Sequence, residues 1–588
     1  MLLVQDMRVV YNEVRMKSKE EEYGIDYGRV VILTEKQTLR IIPLGGVAEA
    51  GKNMTALVMG EDILIIDVGL AFPDEELLGI DAVIPDFSYL VEHKDKIKGI
   101  ILTHGHEDHI GGLPYLLEEF KAPIYGTKLT LGLLASKLQE HKMDSSELDL
   151  HEVKPRGEVD IGIFQVEFIR VNHSIADGVG LAIKTPLGMV VHSGDFKFDH
   201  TPVDREVIDL HRFSELGEKG VLLFFSDSTN ADRPGYTESE QVVGENLQEI
   251  FREVKGRIIL TTFASNVHRI QQALEAAALS GRKAVVVGRS MIHSMQIAID
   301  LGYLKVPDDL LMVEEVKDEI ESEHCMVLTT GVQGEPISAL TKIAFNEHES
   351  IRIREKDTVV LAATPIPGNE KLVTQTVDGL QKQGAKVIYE ADSGVHVSGH
   401  ASKEELKTML NLVKPRYLIP IHGEYRKLVH LADLAQGLGI PRERIFITEP
   451  GDVLEFTSEG ATASGKIAAG KVLVDGLGVG DVGNVVLRDR RQLSQDGILI
   501  VTLTLDKKGN IKTGPEMMSR GFVYVRESEE LIEEAKEKVS RALEKHEGKT
   551  TDWSTLKTTV RDVLGKFLYE KTRRRPMILP VIMEMEKK

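Results

Sequence analysis

A single cysteine, Cys325, stands in 588 residues. No intramolecular disulfide can form. Cysteine-based zinc modules, redox CxxC pairs and iron–sulfur clusters are excluded as well. Any metal must be held by His, Asp and Glu. No apolar run approaches the ~20 residues needed to span a bilayer, so no membrane association is expected. The opening residues, MLLVQDMRVVYNEVRMKSKEEE, lack a sustained apolar stretch before a small-residue cleavage site. They do not read as a signal peptide, and the expected location is the cytoplasm. Positive charge is in short supply too: 72 Lys and Arg face 92 Asp and Glu, a net charge of -20. That argues against a protein that coats nucleic acid through bulk charge. It leaves room for an enzyme that gathers positive charge, or metal ions, in one groove.

What is present is ordinary for a soluble globular chain: 42% hydrophobic and 28% charged residues. At roughly 150 residues per domain the length suggests about four domains' worth of chain. Residues 1–36 are charged and weakly patterned, and read as an extension. From 37 to 215, short apolar runs alternate with glycine-rich turns. ILIID (63–67), GIILTH (99–104), VEFIRV (166–171), GLAIKT (180–185) and MVVHSGD (189–195) read as strands ending in polar residues. LTLGLLASKLQEH (129–141) reads as a helix.

The block 216–390 has another texture. VLLFFSD (221–227), IILTTF (258–263), KAVVVG (283–288) and TVVLAAT (358–364) are near-continuous apolar strands, with helical stretches such as NVHRIQQALEAAALS (266–280) between them. That pattern predicts a parallel α/β sheet covered on both faces. The earlier strand character returns over 391–460, at YLIPIHGE (417–424), so 216–390 reads as an insertion. TASGKIAAGK (462–471) predicts a linker over 461–470, followed by a small α+β unit, 471–588. That unit has strands near 496–505 and at FVYVR (522–526). Its helix, from Ser528 to about His546, carries Leu531, Ile532, Ala535, Val539, Ala542 and Leu543 on one stripe. No internal repeat or low-complexity tract is visible.

The strongest chemical signal is ILTHGHEDHIGG (101–112). His104, His106, Asp108 and His109 follow an apolar strand within six residues. They cannot share one face of a helix or strand, but they can converge from a tight loop whose backbone Gly105, Gly111 and Gly112 relieve. His104 and His106 would point one way and Asp108 and His109 another, which offers two adjacent metal positions. Imidazole plus carboxylate suits Zn²⁺ or Mn²⁺. Further candidates sit at strand ends downstream: His173 after VEFIRVN, Asp195 after MVVHSG and His422 after YLIPI. Asp67, after ILIID, is placed to orient the ligands rather than to bind metal.

This loop, with a later His, Asp and His, resembles the signature of the metallo-β-lactamase superfamily, an αββα sandwich with a two-metal site at one edge. The resemblance implies one ion on His104, His106 and His173, a second on Asp108, His109 and His422, and Asp195 as the bridge. The inserted block resembles the β-CASP domain of nucleic-acid-cleaving members. Asp227 in FFSDST matches that group's first acidic motif, His400 in HVSGHA its histidine motif and His422 in PIHGEY its third motif. Histidine at that last position favours RNA over DNA.

The match narrows further. PLGGVAEAGKN (43–53), GIDAVIPDFSYL (79–90), SDSTNADRPGYT (226–237), FASNVHR (263–269), VGRSM (287–291), GDVGNVVLRDR (480–490) and SRGFVYVRES (519–528) resemble the ribonuclease J family from about residue 37 to the end. The expected fold is therefore an αββα sandwich (37–215 and 391–460) with an inserted β-CASP domain (216–390) and a C-terminal α+β association domain (471–588).

The resemblance implies 5′-to-3′ exonuclease and endonuclease action on single-stranded RNA, in RNA maturation and decay, with a preference for a 5′-monophosphate. Asp108 and Asp195 are expected at the metals. His400 is expected to protonate the leaving oxygen, with Asp227 orienting it. An alternative role for Asp227 is to cap the turn that follows it. The family pattern assigns His396, Val397, Ser398, Gly399 and His400 to substrate binding, together with Ala264, Ser265 and Asn266. It also links Asp475 to a structural cation beside the loop at 78–80. Arg289, Ser290 and the basic run KTRRRPM (571–577) are further candidates for phosphate contact. Expected partners are single-stranded RNA with a 5′-monophosphate, further copies of the chain in a homodimer or homotetramer joined through the C-terminal unit, and an RNA-degrading assembly. The alternatives are another hydrolase of the same fold and a DNA-processing nuclease.

Overall fold

The computed structural model describes residues 38–74, 76–306, 310–312, 322–331, 338–365, 369–389, 393–506, 511–523, 529–544 and 553–584. The expected extension, 1–36, lies outside them. Two sheets pack face to face. One has eight strands in the order Ala461–Lys466, Asp452–Phe456, Leu39–Gly45, Met54–Met59, Asp62–Ile66, Ile97–Ile101, Ile124–Gly126, Leu150–Glu152. The other has six: Tyr417–Ile421, Val221–Asp227, Gly188–His192, Val179–Thr185, Phe164–Arg170, Glu158–Ile161. Their facing sides share one core, in which Leu39, Leu57, Leu64 and Ile66 meet Phe168, Leu181, Leu223 and Phe225.

The outer faces are covered by helices. Leu113, Leu116, Leu134 and Leu138 pack on the first sheet. Phe213, Leu406, Met409 and Leu431 pack on the second. This is the expected αββα sandwich. Both faces of its central strands are buried, which is why they read as continuous apolar runs.

The inserted unit carries its own sheet, in the order Leu310–Met312, Lys283–Val287, Cys325–Thr329, Ile258–Thr261, Thr358–Leu361, Lys386–Ile388, with every pairing parallel. Val221–Asp227, grouped by sequence with the inserted block, is instead central to the sandwich, parallel to both Gly188–His192 and Tyr417–Ile421. An apolar strand buried on both faces has the same texture in either sheet, so composition alone misplaced it. The inserted sheet begins at Ile258.

Two further expectations shift. Ala461–Lys466, read as part of a linker, is an edge strand paired antiparallel with Asp452–Phe456. Its small residues give no alternation, but their backbone still extends the ladder. The next strand, Lys471–Asp475, pairs with Ala82–Pro85 of the sandwich, so the C-terminal unit is stitched to the first domain by backbone. That unit has a sheet ordered Ile511–Arg520, Ile498–Leu505, Met577–Glu584. Phe522 and Val523 lie just beyond its outer strand, and the rest of the FVYVR run, 524–526, is outside the described residues. The amphipathic helix is Glu529–Glu544, burying Ile532, Ala535, Val539 and Leu543; Ser528 and His546 are likewise outside. Among the described residues no helix is long and apolar enough to cross a membrane.

Candidate metal centre and its surroundings

Phe164–Arg170, Gly188–His192, Val221–Asp227 and Tyr417–Ile421 all run in the same direction, as their registers require. Their C-terminal ends therefore share one edge of the sandwich. His173, Asp195, Asp227 and His422 lie at those four ends. Across from them, Ile97–Ile101 of the other sheet leads into the loop and short helix that carry His104, His106, Asp108 and His109. That loop is pinned from beneath. Asn53 N donates to Asp108 O at 2.9 Å, Val68 N to His109 O at 2.8 Å and Leu70 N to Glu107 O at 3.1 Å. The approach is too close for side chains: a Cβ on Gly112 would stand 2.5 Å from Gly69 O.

One triad brings His104 Nε2 within 3.0 Å and His173 Nε2 within 3.1 Å of His106 Nδ1. In the second, Asp108 Oδ2 lies 3.2 Å from His422 Nε2 and 3.6 Å from His109 Nε2. Asp195 Oδ2 stands between the two. It is 3.1 Å from His422 Nε2 and 3.3 Å from His109 Nε2, and 3.8 Å from both His104 Nε2 and His173 Nε2. Every triple of metal-compatible side chains among the described residues is drawn from this cluster together with Asp227 and His400.

The far nitrogen of four rings is already engaged. His109 Nδ1 donates to Asp67 Oδ2 at 2.8 Å. His104 Nδ1 lies 3.1 Å from Thr103 Oγ1, which itself donates to Asp67 Oδ2 at 2.9 Å. His173 Nδ1 donates to Gly399 O at 2.7 Å. His422 Nδ1 faces Thr229 Oγ1 at 2.7 Å, and that hydroxyl donates to His422 O. A neutral imidazole carries one N–H. These partners take it, so the Nε2 lone pairs are turned inward and crowd together. A cation relieves that crowding, and a nitrogen–oxygen donor set of this kind fits Zn²⁺ or Mn²⁺.

The electrostatics agree. Burial holds His104 and His173 well below the ordinary histidine pKa and His106 at about 4, so these rings present lone pairs. Burial works the same way on His109 and His422. It is outweighed by Asp195, Asp108 and Asp67 around His109, which raise it well above the usual value, and by Asp195, Asp108 and Asp227 around His422, which raise it to about 9. Carboxylates that favour a proton here favour a metal cation for the same reason.

Asp67 has a positive φ of 58° and His422 one of 57°. Such backbone is uncommon outside glycine. Asp67 is held there by bonds from Thr103 N at 2.8 Å, Thr103 Oγ1 and His109. Asp227 does two things at once. Its Oδ1 accepts from Thr229 N at 2.9 Å, capping the turn, and its Oδ2 lies 2.8 Å from His400 Nδ1. His400 stacks edge-on to His173 at 4.8 Å between centroids, and 5.0 Å from His422.

The two expected substrate segments come together. Ala264, Ser265 and Asn266 lead into the helix Val267–Leu279, whose N-terminus Asn266 caps by accepting from Arg269 N at 3.1 Å. Arg269 in turn lies 2.9 Å from His396 Nδ1, while Ser398 Oγ accepts from Asn230 Nδ2 at 2.8 Å.

Other candidates lie elsewhere. Asp475 is met by Arg490, whose Nη1 also donates to Leu78 O at 2.9 Å; the positive group between Asp475 and the 78–80 loop is a guanidinium, and among the described residues Asp475 belongs to no metal-compatible cluster. Arg289 and Ser290 are exposed at the start of a helix. In the basic run, Lys571 pairs with Glu534 at 2.8 Å, Arg574 donates to Phe522 O, and Arg573 and Arg575 lie over Tyr569. Sequence reasoning gave no role to Asn53, Thr103 or Thr229. Asn53 Nδ2 reaches Asp108 O at 3.0 Å and Asp108 Oδ2 at 3.1 Å. Its only advance signal was its place in the PLGGVAEAGKN motif.

Comparison with known proteins places these features in a family. Residues 79–214 match a beta-lactamase superfamily domain, 255–380 a ribonuclease J beta-CASP domain, 384–447 a Zn-dependent metallo-hydrolase RNA specificity domain, and 485–585 a ribonuclease J C-terminal domain. The chain is 49% identical to Ribonuclease J2 of Bacillus subtilis over 552 residues, 93% of this chain and 99% of that one. It is 42% identical to Ribonuclease J 1 of Streptococcus pyogenes over 549 residues, 93% of this chain and 98% of the relative. A crystal structure of a protein of unknown function from Enterococcus faecalis aligns with a TM-score of 0.51 at 16% identity, over 71% of this chain and all of that one, a likeness of fold alone.

Proposed function

The chain belongs to the ribonuclease J family, and we propose that this metal-dependent ribonuclease degrades RNA from a 5′-monophosphate end and also cuts internally. The observation that carries the reading is the pair of triads sharing Asp195 Oδ2, with His400 and Asp227 beside them. His104, His106 and His173 would hold one divalent ion and Asp108, His109 and His422 another, with Asp195 common to both and zinc or manganese as the metal. When bound, two such ions supply a water nucleophile near neutral pH and offset charge gathering on the phosphoryl oxygens.

The chain's own residues do the rest. Asp195 spaces the two triads. Asp67, Thr103, Gly399 and Thr229 hold the rings of His109, His104, His173 and His422 with the lone pair inward. His400, anchored by Asp227 through Nδ1, keeps Nε2 for the leaving oxygen and delivers a proton there. At the 5′ end, the start of the helix Val267–Leu279 and the 396–400 segment supply N–H and hydroxyl donors of the kind that bind phosphate. The C-terminal unit, with its apolar core and no metal-compatible cluster among its described residues, is assigned to homodimer or homotetramer assembly. The enzyme is placed in the cytoplasm, in company with other RNA-degrading proteins.

The test uses one internally labelled RNA with either a 5′-monophosphate or a 5′-triphosphate, incubated with Mn²⁺ or Mg²⁺ beside a His106→Ala control. Mononucleotides released faster from the monophosphate form, and lost in the control, are the expected result. Internal fragments alone would remove the 5′ pocket and keep the nuclease. No cleavage by metal-loaded protein would overturn the reading.

A further inference from the structure

Arg269 sits in the first turn of the helix Val267–Leu279 and is fully buried. Its guanidinium reaches three separate pieces of chain. Nε and Nη2 each donate to the Glu240 carboxylate at 2.8 Å. Nη1 donates to Ala362 O at 2.6 Å and lies 2.9 Å from His396 Nδ1, and Nη2 stands 3.4 Å from Val397 O. The surrounding charge is balanced. Lys197 Nζ is 3.5 Å from Asp199 Oδ2, and Asp199 Oδ2 accepts from Glu240 N at 2.9 Å. Two buried cations thus meet two buried carboxylates, and among the described residues no acid is left over for His396.

A guanidinium has five N–H donors and nothing that accepts. The ring nitrogen facing it must therefore carry the lone pair. His396 then has its single proton on Nε2, an atom that no hydrogen bond among the described residues occupies. Among the described residues, burial first and then the positive charges of Arg269, Arg233 and Lys197 keep the ring uncharged.

We infer that Arg269 is a positioning residue for 5′-end recognition: by donating to Nδ1 it fixes His396 as the neutral Nε2–H tautomer, so that the ring meets the 5′-phosphate as a hydrogen-bond donor and not as a cation. This rests on the reading of 396–400 as part of the 5′ pocket. The helix start at 264–266 and the 396–400 segment are then two walls of one pocket, tied together behind by one side chain.

The test is the ratio of kcat/KM on 5′-monophosphate RNA to that on 5′-hydroxyl RNA, in which any loss common to both substrates cancels. His396→Gln keeps an amide N–H near the Nε2 position without charge, and His396→Phe keeps neither donor nor acceptor. Arg269→Met is combined with Glu240→Gln so that no carboxylate is left buried alone. The Phe variant is expected to lower the ratio roughly ten- to a hundredfold, the effect of losing a hydrogen bond to a charged group, while Gln retains most of it. The Arg269 and Glu240 pair should lower it too, and should have no further effect in the Phe background.

Equal losses for Gln and Phe would overturn the neutral-donor assignment, and that comparison stands even if the Arg269 variant fails to fold. Additive losses in the combined variant would overturn the role of Arg269. A ratio unchanged by Phe, in a protein that still prefers the monophosphate, would instead remove His396 from the pocket and with it the reading beneath this inference.

Discussion

His173 Nδ1 lies 2.7 Å from the carbonyl oxygen of Gly399. A candidate metal ligand of the sandwich is thus oriented by the segment that returns from the inserted domain, one residue before His400. A Cβ on Gly399 would stand 2.7 Å from both Cε1 and Nδ1 of His173 and 2.8 Å from Ser174 N. Gly399→Ala is therefore expected to displace His173, reduce bound metal from two ions toward one, and cut kcat about a hundredfold, in line with the effect of disturbing a ligand's orienting partner. Metal content by mass spectrometry alongside single-turnover kinetics checks both parts. Unchanged metal content would show that the contact does not govern the ligand.

Asp67 accepts from His109, from Thr103 Oγ1 and from Thr103 N. Asp67→Asn removes the charge and puts a donor where an acceptor is needed. Metal affinity should fall roughly 10- to 100-fold, read by competition with a chelator of known strength. Secondary structure should be retained.

Asp227 and His400 act through one bond, so their effects should not add. His400→Ala and Asp227→Asn should each lower kcat by about 10²- to 10⁴-fold, with both metals still bound. The double variant should match His400→Ala closely, as groups that work as a unit do. Rates that multiply would separate the two roles.

Acid should weaken the fold through His396. Burial, with Arg269 next in weight, pushes its pKa down to about 2, against about 6.5 in an unfolded chain. As pH falls below 6.5 the unfolded state takes the proton first, so stability drops through the window between those values. Between pH 7 and pH 5 this amounts to at most about 2 kcal/mol. The urea midpoint of the wild type should fall further over that range than that of His396→Gln. Equal shifts would mean that the ring accepts a proton in the folded protein.

Chelation should destabilise as well as inactivate. The cluster gathers Asp67, Asp108 and Asp195 against histidines whose lone pairs face inward. Removing bound metal with EDTA should lower the melting temperature, and adding Zn²⁺ or Mn²⁺ back should restore it, since a ligand that binds only the native state stabilises it by mass action. A melting curve indifferent to EDTA and to added metal would argue against a loaded site.

Much of the site was legible because its spacing is local. His104, His106, Asp108 and His109 fall within one loop, and strand ends marked His173, Asp195 and His422. The orienting partners were not legible in the same way. Thr103 and Thr229 are ordinary residues until their hydroxyls meet a ring, and the group holding His173 is a backbone carbonyl from a segment 226 residues away. Arg269 lay in a recognised motif, but nothing in its spacing reveals that it reaches Glu240, Ala362 and His396. The fold was read with similar unevenness. Apolar runs located the strands, yet Val221–Asp227 was given to the wrong sheet and Ala461–Lys466 was read as a linker, because texture reports burial and not pairing.

Beyond Asp227 the chain stays on the sandwich, where Ala231 packs in its core and Thr237 N donates to the Glu405 carboxylate, and only then enters the inserted domain; it comes back between Val397, in the inserted core, and Ala401, in the sandwich core, the stretch that holds His400. Of the two residues proposed to move the proton, His400 thus stands where the inserted domain rejoins the sandwich, while Asp227 is held inside the sandwich sheet. A displacement of that domain would reach His400 through the returning chain, with Asp227 kept in place by the sandwich. Under the proposed function, the position of the inserted domain and the placement of the acid would then be one mechanical variable.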